Sequence, residues 1–158
     1  IIRNITESFS PSKDEINRLA EKYDLIEISI ELKDIISDPI RIYENAAGYY
    51  DAGFILDYVK PGEKNPYVSY MSHEIMKIIT VNDENPAEKL KRYLNNISIF
   101  LSDETRGFAF GAVGYFGYET FKYFEPSIGS LKKDPNNCPE ASFMIPKSQI
   151  DSGTFPVR

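Results

Sequence analysis

The residue types that most often carry nucleophilic or metal chemistry are scarce in this sequence. It has one histidine, His73, and one cysteine, Cys138. A Ser-His-acid triad or a histidine-based metal site would have to use His73. A catalytic thiolate needs a nearby cation or helix start, and the sequence neighbours of Cys138 are Asn137 and Pro139. We therefore predict a surface role for His73, no catalytic role for Cys138, and no metal site based on paired histidines or cysteines.

Acidic side chains dominate the charge of the sequence, with 24 Asp and Glu against 18 Lys and Arg. The net charge of −6 repels phosphate backbones, so we expect no nucleic-acid partner. Scattered carboxylates are typical of a solvated surface, and a catalytic carboxylate pair forms only when the fold brings its members together. No apolar run approaches the roughly 20 residues of a membrane helix, so we expect no membrane partner.

Glycines interrupt an aromatic-rich apolar segment between residues 107 and 118. A phosphate-binding loop is one interpretation. However, Gly111, Gly114 and Gly117 do not give the dinucleotide-binding spacing, and no Lys-Ser or Lys-Thr pair follows them. Glycines separated by apolar residues more often mark a buried strand where the backbone bends or another backbone approaches closely. We therefore predict a strand over residues 107–118.

Two helix starts are marked by capping residues. Ser12 and Glu15 form a capping box before apolar residues at helical spacing, which predicts a helix over residues 13–23. Asn85 followed by Pro86 is a second start, and its apolar stripe predicts a helix from about residue 86 to residue 101. Apolar runs predict strands over residues 25–32, 40–43, 54–59, 67–71, 74–80 and 141–146, with a short helix over 119–124 and loops over 60–66 and 126–139. Successive strands with short connections favour antiparallel pairing in an α+β fold.

At the glycine segment the chain resembles the anthranilate synthase component I family. The segment GAVGYFGY at 111–118, followed by KYFE at 122–125, is similar to the family's "GGAVGYLGYD…RYFE". The segment CPEASFMIP at 138–146 is similar to its "LPDAxFMLPD". Weaker matches at 23–26, 38–43, 54–59 and 67–71 follow in the family's order, so the resemblance extends from about residue 10 to residue 150.

The resemblance implies an α+β fold in which antiparallel strands form part of a two-sheet orthogonal sandwich with outer helices. Residues 1–150 would form the amino-terminal region of such a subunit, and residues 151–158 would form a divergent tail. The implied reaction converts chorismate to anthranilate and pyruvate in tryptophan biosynthesis, with Mg²⁺ and with ammonia from a glutamine amidotransferase partner.

The family's chorismate and Mg²⁺ motifs, "PIAGTRPRG" and "SGAPK", do not occur in this sequence. We therefore expect the chain alone to be catalytically inactive, to carry no catalytic residue and to bind no Mg²⁺. One cysteine allows no internal disulfide, which suits a reducing cytoplasm.

The resemblance also implies a structural and feedback-regulatory role for this region. In the family, the Glu-Ser of "LLES" helps to form the inhibitor site for L-tryptophan, and these positions are Asp57 and Tyr58 here. The basic residue of the family's "RYS" is replaced by Tyr67. Asp57 keeps a carboxylate for an ammonium group, whereas the ring of Tyr58 would crowd an indole-sized pocket.

Three alternatives to anthranilate synthase follow from the same sequence. The chain could come from the closely similar component I of aminodeoxychorismate synthase. It could be a stand-alone, non-catalytic module that binds an amino acid. It could also be a non-functional remnant, whose open strand edges and apolar faces would cause self-association.

Overall fold

The computed structural model describes residues 10–29, 39–59, 68–102, 110–129 and 136–153. In chain order the elements are α1 (Lys13–Leu19), β1 (Leu25–Ile26), α2 (Pro39–Ala47), β2 (Phe54–Tyr58), β3 (Val68–Ser72), β4 (Ile75–Val81), α3 (Pro86–Asn95), β5 (Ile99–Phe100), β6 (Val113–Phe116), α4 (Phe121–Phe124), β7 (Ala141–Pro146) and β8 (Ile150–Gly153). Short 3₁₀ helices occupy Tyr118–Thr120 and Pro126–Ile128. None of the described helices is long and apolar enough to cross a bilayer. The predicted segments at 30–32, 60–67, 107–109 and 130–135 lie outside the described residues.

The capping residues start α1 and α3 as predicted. The Glu15 carboxylate accepts hydrogen bonds from the backbone N–H of Ser12 at 2.9 Å and from its hydroxyl at 2.6 Å. The side-chain oxygen of Asn85 accepts bonds from two backbone N–H groups in the first turn of α3, at 3.0 and 3.2 Å. Both helices end earlier than predicted, at Leu19 and Asn95.

A parallel pairing between β1 and β5 explains why α3 ends early. The two strands pair residue by residue, so the prediction of a helix as far as residue 101 is wrong. The Asp24 carboxylate accepts hydrogen bonds from the backbone N–H of Ser98 at 2.8 Å and from its hydroxyl at 2.7 Å. These bonds join residues 74 positions apart, which no local sequence pattern reports. They hold the segment after α3 beside β1 instead of in a further helical turn.

The prediction of a strand over residues 40–43 is also wrong, because these residues lie within α2. Pro39 occupies the first helical position, where its missing N–H costs nothing. The half-buried residues Pro39, Ile42, Tyr43 and Ala46 follow at the three- and four-residue spacing of one helix face. Four residues of apolar alternation were too few to distinguish this pattern from a strand.

Two antiparallel sheets contain the other strands, in the orders β2-β3-β8 and β4-β7-β6. In the first sheet Asp57 lies opposite Ser69, and in the second Ile79 lies opposite Phe143. β8 includes residues 151–153 of the predicted divergent tail and pairs with β3. The α+β class and the antiparallel pairing are confirmed, whereas the orthogonal arrangement of two sheets stays a prediction.

The buried core of the second sheet lies on the face that α3 covers. Its buried members on β4 and β7 are Ile79, Val81, Ala141, Phe143 and Ile145. Leu90, Tyr93 and Leu94 of α3 pack against them. The stripe of apolar residues predicted for α3 is therefore the face that the helix buries against the sheet.

Candidate functional site

The two inhibitor-site candidates on β2 are exposed and project from opposite faces of the sheet. β2 is an edge strand, and Asp57 and Tyr58 are consecutive residues within it. Consecutive strand residues point to opposite faces. Asp57 therefore shares a face with its cross-strand neighbour Ser69, and Tyr58 shares the other face with Val68. The third candidate, Tyr67, lies outside the described residues.

Ser69 is a polar residue that the sequence reasoning did not single out. Only 1% of its surface is exposed, and within the described part of the chain its hydroxyl has no hydrogen-bond partner. A buried hydroxyl without a partner costs roughly 1–3 kcal/mol. The cross-strand pairing places this hydroxyl on the same face as the Asp57 carboxylate, with about 5 Å between directly opposed Cβ atoms. A serine between apolar and aromatic residues of the strand predicted over residues 67–71 was the only signal for it in the sequence.

His73 is half-buried between two tyrosines, so its surroundings differ from the predicted surface role. Its Nε2 donates a hydrogen bond to the backbone oxygen of Tyr43 at 2.8 Å, because a carbonyl oxygen can only accept. Its ring centroid lies 4.0 Å from that of Tyr43 and 6.0 Å from that of Tyr50. These contacts attach α2 to the connection between β3 and β4, which indicates a structural role.

The glycine segment is used for close backbone packing, as predicted, but within the described residues the strand covers only Val113–Phe116 and is largely exposed instead of buried. A Cβ atom added at Gly114 would lie 2.0 Å from the backbone oxygen of Ser142 on β7. No side chain fits there without a shift of the backbone. Gly117, just after β6, donates its N–H to the backbone oxygen of Glu140 at 2.7 Å. The glycines therefore let β6 and the following turn lie directly against β7.

A cluster of Lys122, Tyr123 and Glu140 fixes this turn to the start of β7. Lys122 forms an ion pair with one carboxylate oxygen of Glu140, and the Tyr123 hydroxyl donates to the other oxygen at 2.9 Å. The Lys122 ammonium also lies 4.9 Å from the centre of the Tyr123 ring. The backbone N–H of Glu140 donates to the side-chain oxygen of Asn82 at 3.1 Å. One carboxyl residue thus joins α4, β7 and the turn after β4.

The electrostatics of the cluster favour the charged pair. Burial raises the pKa of Glu140, but the hydrogen bonds from Lys122 and Tyr123 outweigh it, so this pKa lies below its ordinary value. The hydrogen bond to Glu140 raises the pKa of Lys122. Burial, followed by the bond to Glu140, raises the pKa of Tyr123. Groups held in these states do not exchange protons near neutral pH, so the cluster is suited to holding structure in place.

Metal-binding and thiol chemistry find little support in the described ranges. Across residues 10–29, 39–59, 68–102, 110–129 and 136–153, no three His, Cys, Asp or Glu side chains are grouped to hold a metal ion. Cys138 is exposed in the loop before β7 and forms no disulfide. The Mg²⁺ implied by the resemblance therefore has no ligand set among these residues, and we derive no reaction step through it.

Curated relatives of this chain are named anthranilate synthase component 1. The protein from Acetivibrio thermocellus is 26% identical over 153 residues, covering 87% of this chain and 31% of that protein. The protein from Schizosaccharomyces pombe is named probable anthranilate synthase component 1 and is 27% identical over 139 residues. The match covers 85% of this chain and 28% of that protein. The protein from Streptomyces coelicolor is 25% identical over 134 residues, and the match covers 85% of this chain and 26% of that protein.

The chain resembles an amino-terminal region of anthranilate synthase component 1. It spans less than a third of the length of the curated relatives it matches. No protein-family model matches the chain. No solved structure matches it either.

Proposed function

We propose that this chain serves as the amino-terminal portion of a subunit of the anthranilate synthase component I type. The reaction of that subunit would convert chorismate and ammonia to anthranilate and pyruvate in tryptophan biosynthesis. The observation that carries the proposal is the match of about 85% of the chain to proteins of that name from Acetivibrio thermocellus, Schizosaccharomyces pombe and Streptomyces coelicolor. Because the chain spans under a third of those proteins, we assign the reaction to a longer subunit and not to this chain alone.

The fold supports the proposal because the most specific segments of the resemblance form one structural unit. The glycine segment provides β6, the KYFE segment provides α4, and the PEASFMIP segment leads into β7. β6 pairs with β7, and Lys122 of the second segment forms an ion pair with Glu140 of the third. Motifs that are distant along the chain therefore depend on one another in space, as expected if the resemblance reflects a shared fold.

The division of labour that we propose leaves catalysis to the rest of the subunit. Chorismate and Mg²⁺ would be bound there, and ammonia would come from a glutamine amidotransferase subunit in the cytoplasm. The described residues of this chain would provide a scaffold in which the Lys122–Glu140 ion pair and the close packing at Gly114 fix the relative positions of strands. No catalytic step is assigned to them.

A regulatory role for β2 is a second part of the proposal. The exposed Asp57 carboxylate would bind the ammonium group of an amino-acid inhibitor such as L-tryptophan. This site at Asp57 is supported by the buried Ser69 hydroxyl on the same face of the sheet. That hydroxyl has no hydrogen-bond partner in the described part of the chain. Tyr58 projects from the opposite face, so it would influence the inhibitor only through the backbone of β2.

The test of the proposed function is a chimaera with the Acetivibrio thermocellus protein. This chain would replace the matching 153-residue region of that protein, and formation of anthranilate from chorismate, Mg²⁺ and ammonia would be followed by its fluorescence. We expect ammonia-dependent activity in the chimaera and none in the same protein with the region deleted. A folded but inactive chimaera would contradict the proposal.

A further inference from the structure

The face of the β2-β3-β8 sheet that carries Asp57 combines one carboxylate, one hydroxyl and an apolar row. Asp57 of β2 lies opposite Ser69 of β3, and the next row on the same face contains Ile55, Met71 and Ile150. We call these five residues the Asp57 face. Asp57 is exposed, Ile55 is half-buried, and Ile150 is 44% exposed. The Asp57 face therefore offers a carboxylate beside apolar side chains that a small molecule can reach.

Both polar groups of the Asp57 face lack a partner among the residues that the structure describes. Across those ranges, no basic side chain forms an ion pair with the Asp57 carboxylate. Ser69 is 1% exposed, and its hydroxyl has no hydrogen-bond partner within the same ranges. A carboxylate and a hydroxyl can both accept hydrogen bonds from an ammonium group. The two groups therefore match the charge and the donors of a primary amine.

The strands of the Asp57 face provide no basic group to hold a carboxylate of the ligand. Among their described residues on this face, Asp57 is the only charged one. The chain also has a net charge of −6, and an acidic protein attracts cations and repels anions. In water, a ligand carboxylate about 5 Å from that of Asp57 would weaken binding by about fourfold. The Asp57 face therefore favours a monocation over a zwitterion of similar shape.

We infer that the Asp57 face binds a primary amine with an apolar body and does not recognise a carboxylate group on that ligand. The inference rests on the regulatory role proposed for β2, and it narrows the ligand class of the same site to apolar amines. Asp57 and Ser69 would accept the hydrogen bonds of the ammonium group, and Ile55 and Ile150 would contact the apolar body. An amino acid would still bind through its ammonium group, but more weakly than the amine that lacks its carboxylate.

Three ligands that share an indole ring on a two-carbon arm test which charge is recognised. Tryptamine carries the ammonium group alone, L-tryptophan carries both groups, and indole-3-propionate carries the carboxylate alone. Isothermal titration calorimetry with the 158-residue chain at low salt measures the three dissociation constants. We expect tryptamine to bind about fourfold more tightly than L-tryptophan, and indole-3-propionate not to bind.

Two aspartate variants locate the site. Asp57→Asn and Asp51→Asn each remove one negative charge, but Asp51 is exposed in the turn before β2 and lies outside the Asp57 face. The pair therefore separates the loss of a specific contact from a change in net charge. We expect the affinity for tryptamine to fall by about tenfold or more in Asp57→Asn, because a charge-assisted hydrogen bond is lost, and by less than about twofold in Asp51→Asn.

The outcomes separate this inference from the proposal on which it rests. If L-tryptophan binds as tightly as tryptamine or more tightly, and Asp57→Asn still weakens it, the inference is overturned and the regulatory role of β2 stands. Binding of indole-3-propionate would overturn the inference in the same way. Absence of binding by all three ligands, or equal losses in the two aspartate variants, would contradict the regulatory role and the inference together. Activity of the chimaera tests the proposed subunit function independently of these measurements.

Discussion

The two faces of the β4-β7-β6 sheet have the same strands and the same backbone but opposite surroundings. On the inner face, Val81, Ala141 and Ile145 are fully buried beneath α3. On the outer face, which points away from α3, Ile78 of β4 and Tyr115 of β6 remain about half exposed, and on the inner face Phe116 at the end of β6 is exposed to the same extent. Both faces carry apolar side chains, so composition alone does not separate a finished core from an open one. What separates them is whether an element of the described chain lies over each face.

This difference shows how stability and assembly are divided between two sets of neighbouring residues. Apolar area removed from water contributes about 25 cal/mol per Å², so the inner face accounts for much of the stability of this sheet. The outer face contributes little until something covers it. Consecutive residues such as Phe143 and Met144, which point to opposite faces, are therefore expected to differ greatly in their effect on the isolated chain.

The largest expected effect comes from truncating the inner face. Phe143 is 3% exposed, so Phe143→Ala leaves a cavity beneath α3, and we expect a loss of about 3–5 kcal/mol in the free energy of unfolding. Met144→Ala is the control on the outer face, with an expected loss below about 1 kcal/mol in the same chain. Urea denaturation of both variants measures the difference. Equal losses would show that the two faces are equally closed.

The sequence predicted this sheet well where local signals were sufficient. Short apolar runs located β4 and β7, and the spaced glycines predicted the close approach that Gly114 makes to Ser142. The Asn85 cap located the start of α3. Each of these features depends on residues a few positions apart. Their physical causes, namely side-chain period, backbone access and a free N–H at a helix start, are therefore visible in the sequence.

The rest could not be predicted because it depends on residues far apart in sequence. The strand β5 depends on Asp24 holding Ser98, and the helix α2 was hidden by four residues of accidental alternation. In the candidate site, Asp57 and Tyr58 came from the resemblance, whereas the pairing of Asp57 with Ser69 required the register of two strands. The ion pair between Lys122 and Glu140 likewise spans 18 positions. Sequence patterns identify faces, but they do not identify the partner that each face meets.

An intermediate effect is expected at the end of the sheet, where polar groups replace apolar packing. Glu140→Gln keeps the shape of the side chain but removes the charge that pairs with Lys122, and we expect a loss of about 1–3 kcal/mol at neutral pH. The pKa of Glu140 is lowered in the fold, so its contribution is present above the ordinary value of 4.5 and is lost as the pH falls through the folded value. Urea denaturation at several pH values should show the variant and the unmodified chain converging in acid. A constant difference at every pH would contradict this account.

The smallest expected effect has the opposite sign and lies in the other sheet, at Asp151 on β8. Burial raises the pKa of this carboxyl group, and the negative charge of Glu27 raises it further. A raised pKa means that the ionised form disfavours the fold. The group's stabilising contribution is therefore complete below the ordinary value of 3.8 and is lost as the pH rises through the folded value. We expect Asp151→Asn to stabilise the chain slightly at pH 7, and the gain to disappear in acid. Thermal unfolding of both proteins between pH 3 and pH 7, about the range over which Asp titrates, measures this difference. Destabilisation at pH 7 would contradict this account. It would show that the ionised form of Asp151 stabilises β8, as the ionised form of Glu140 stabilises the start of β7.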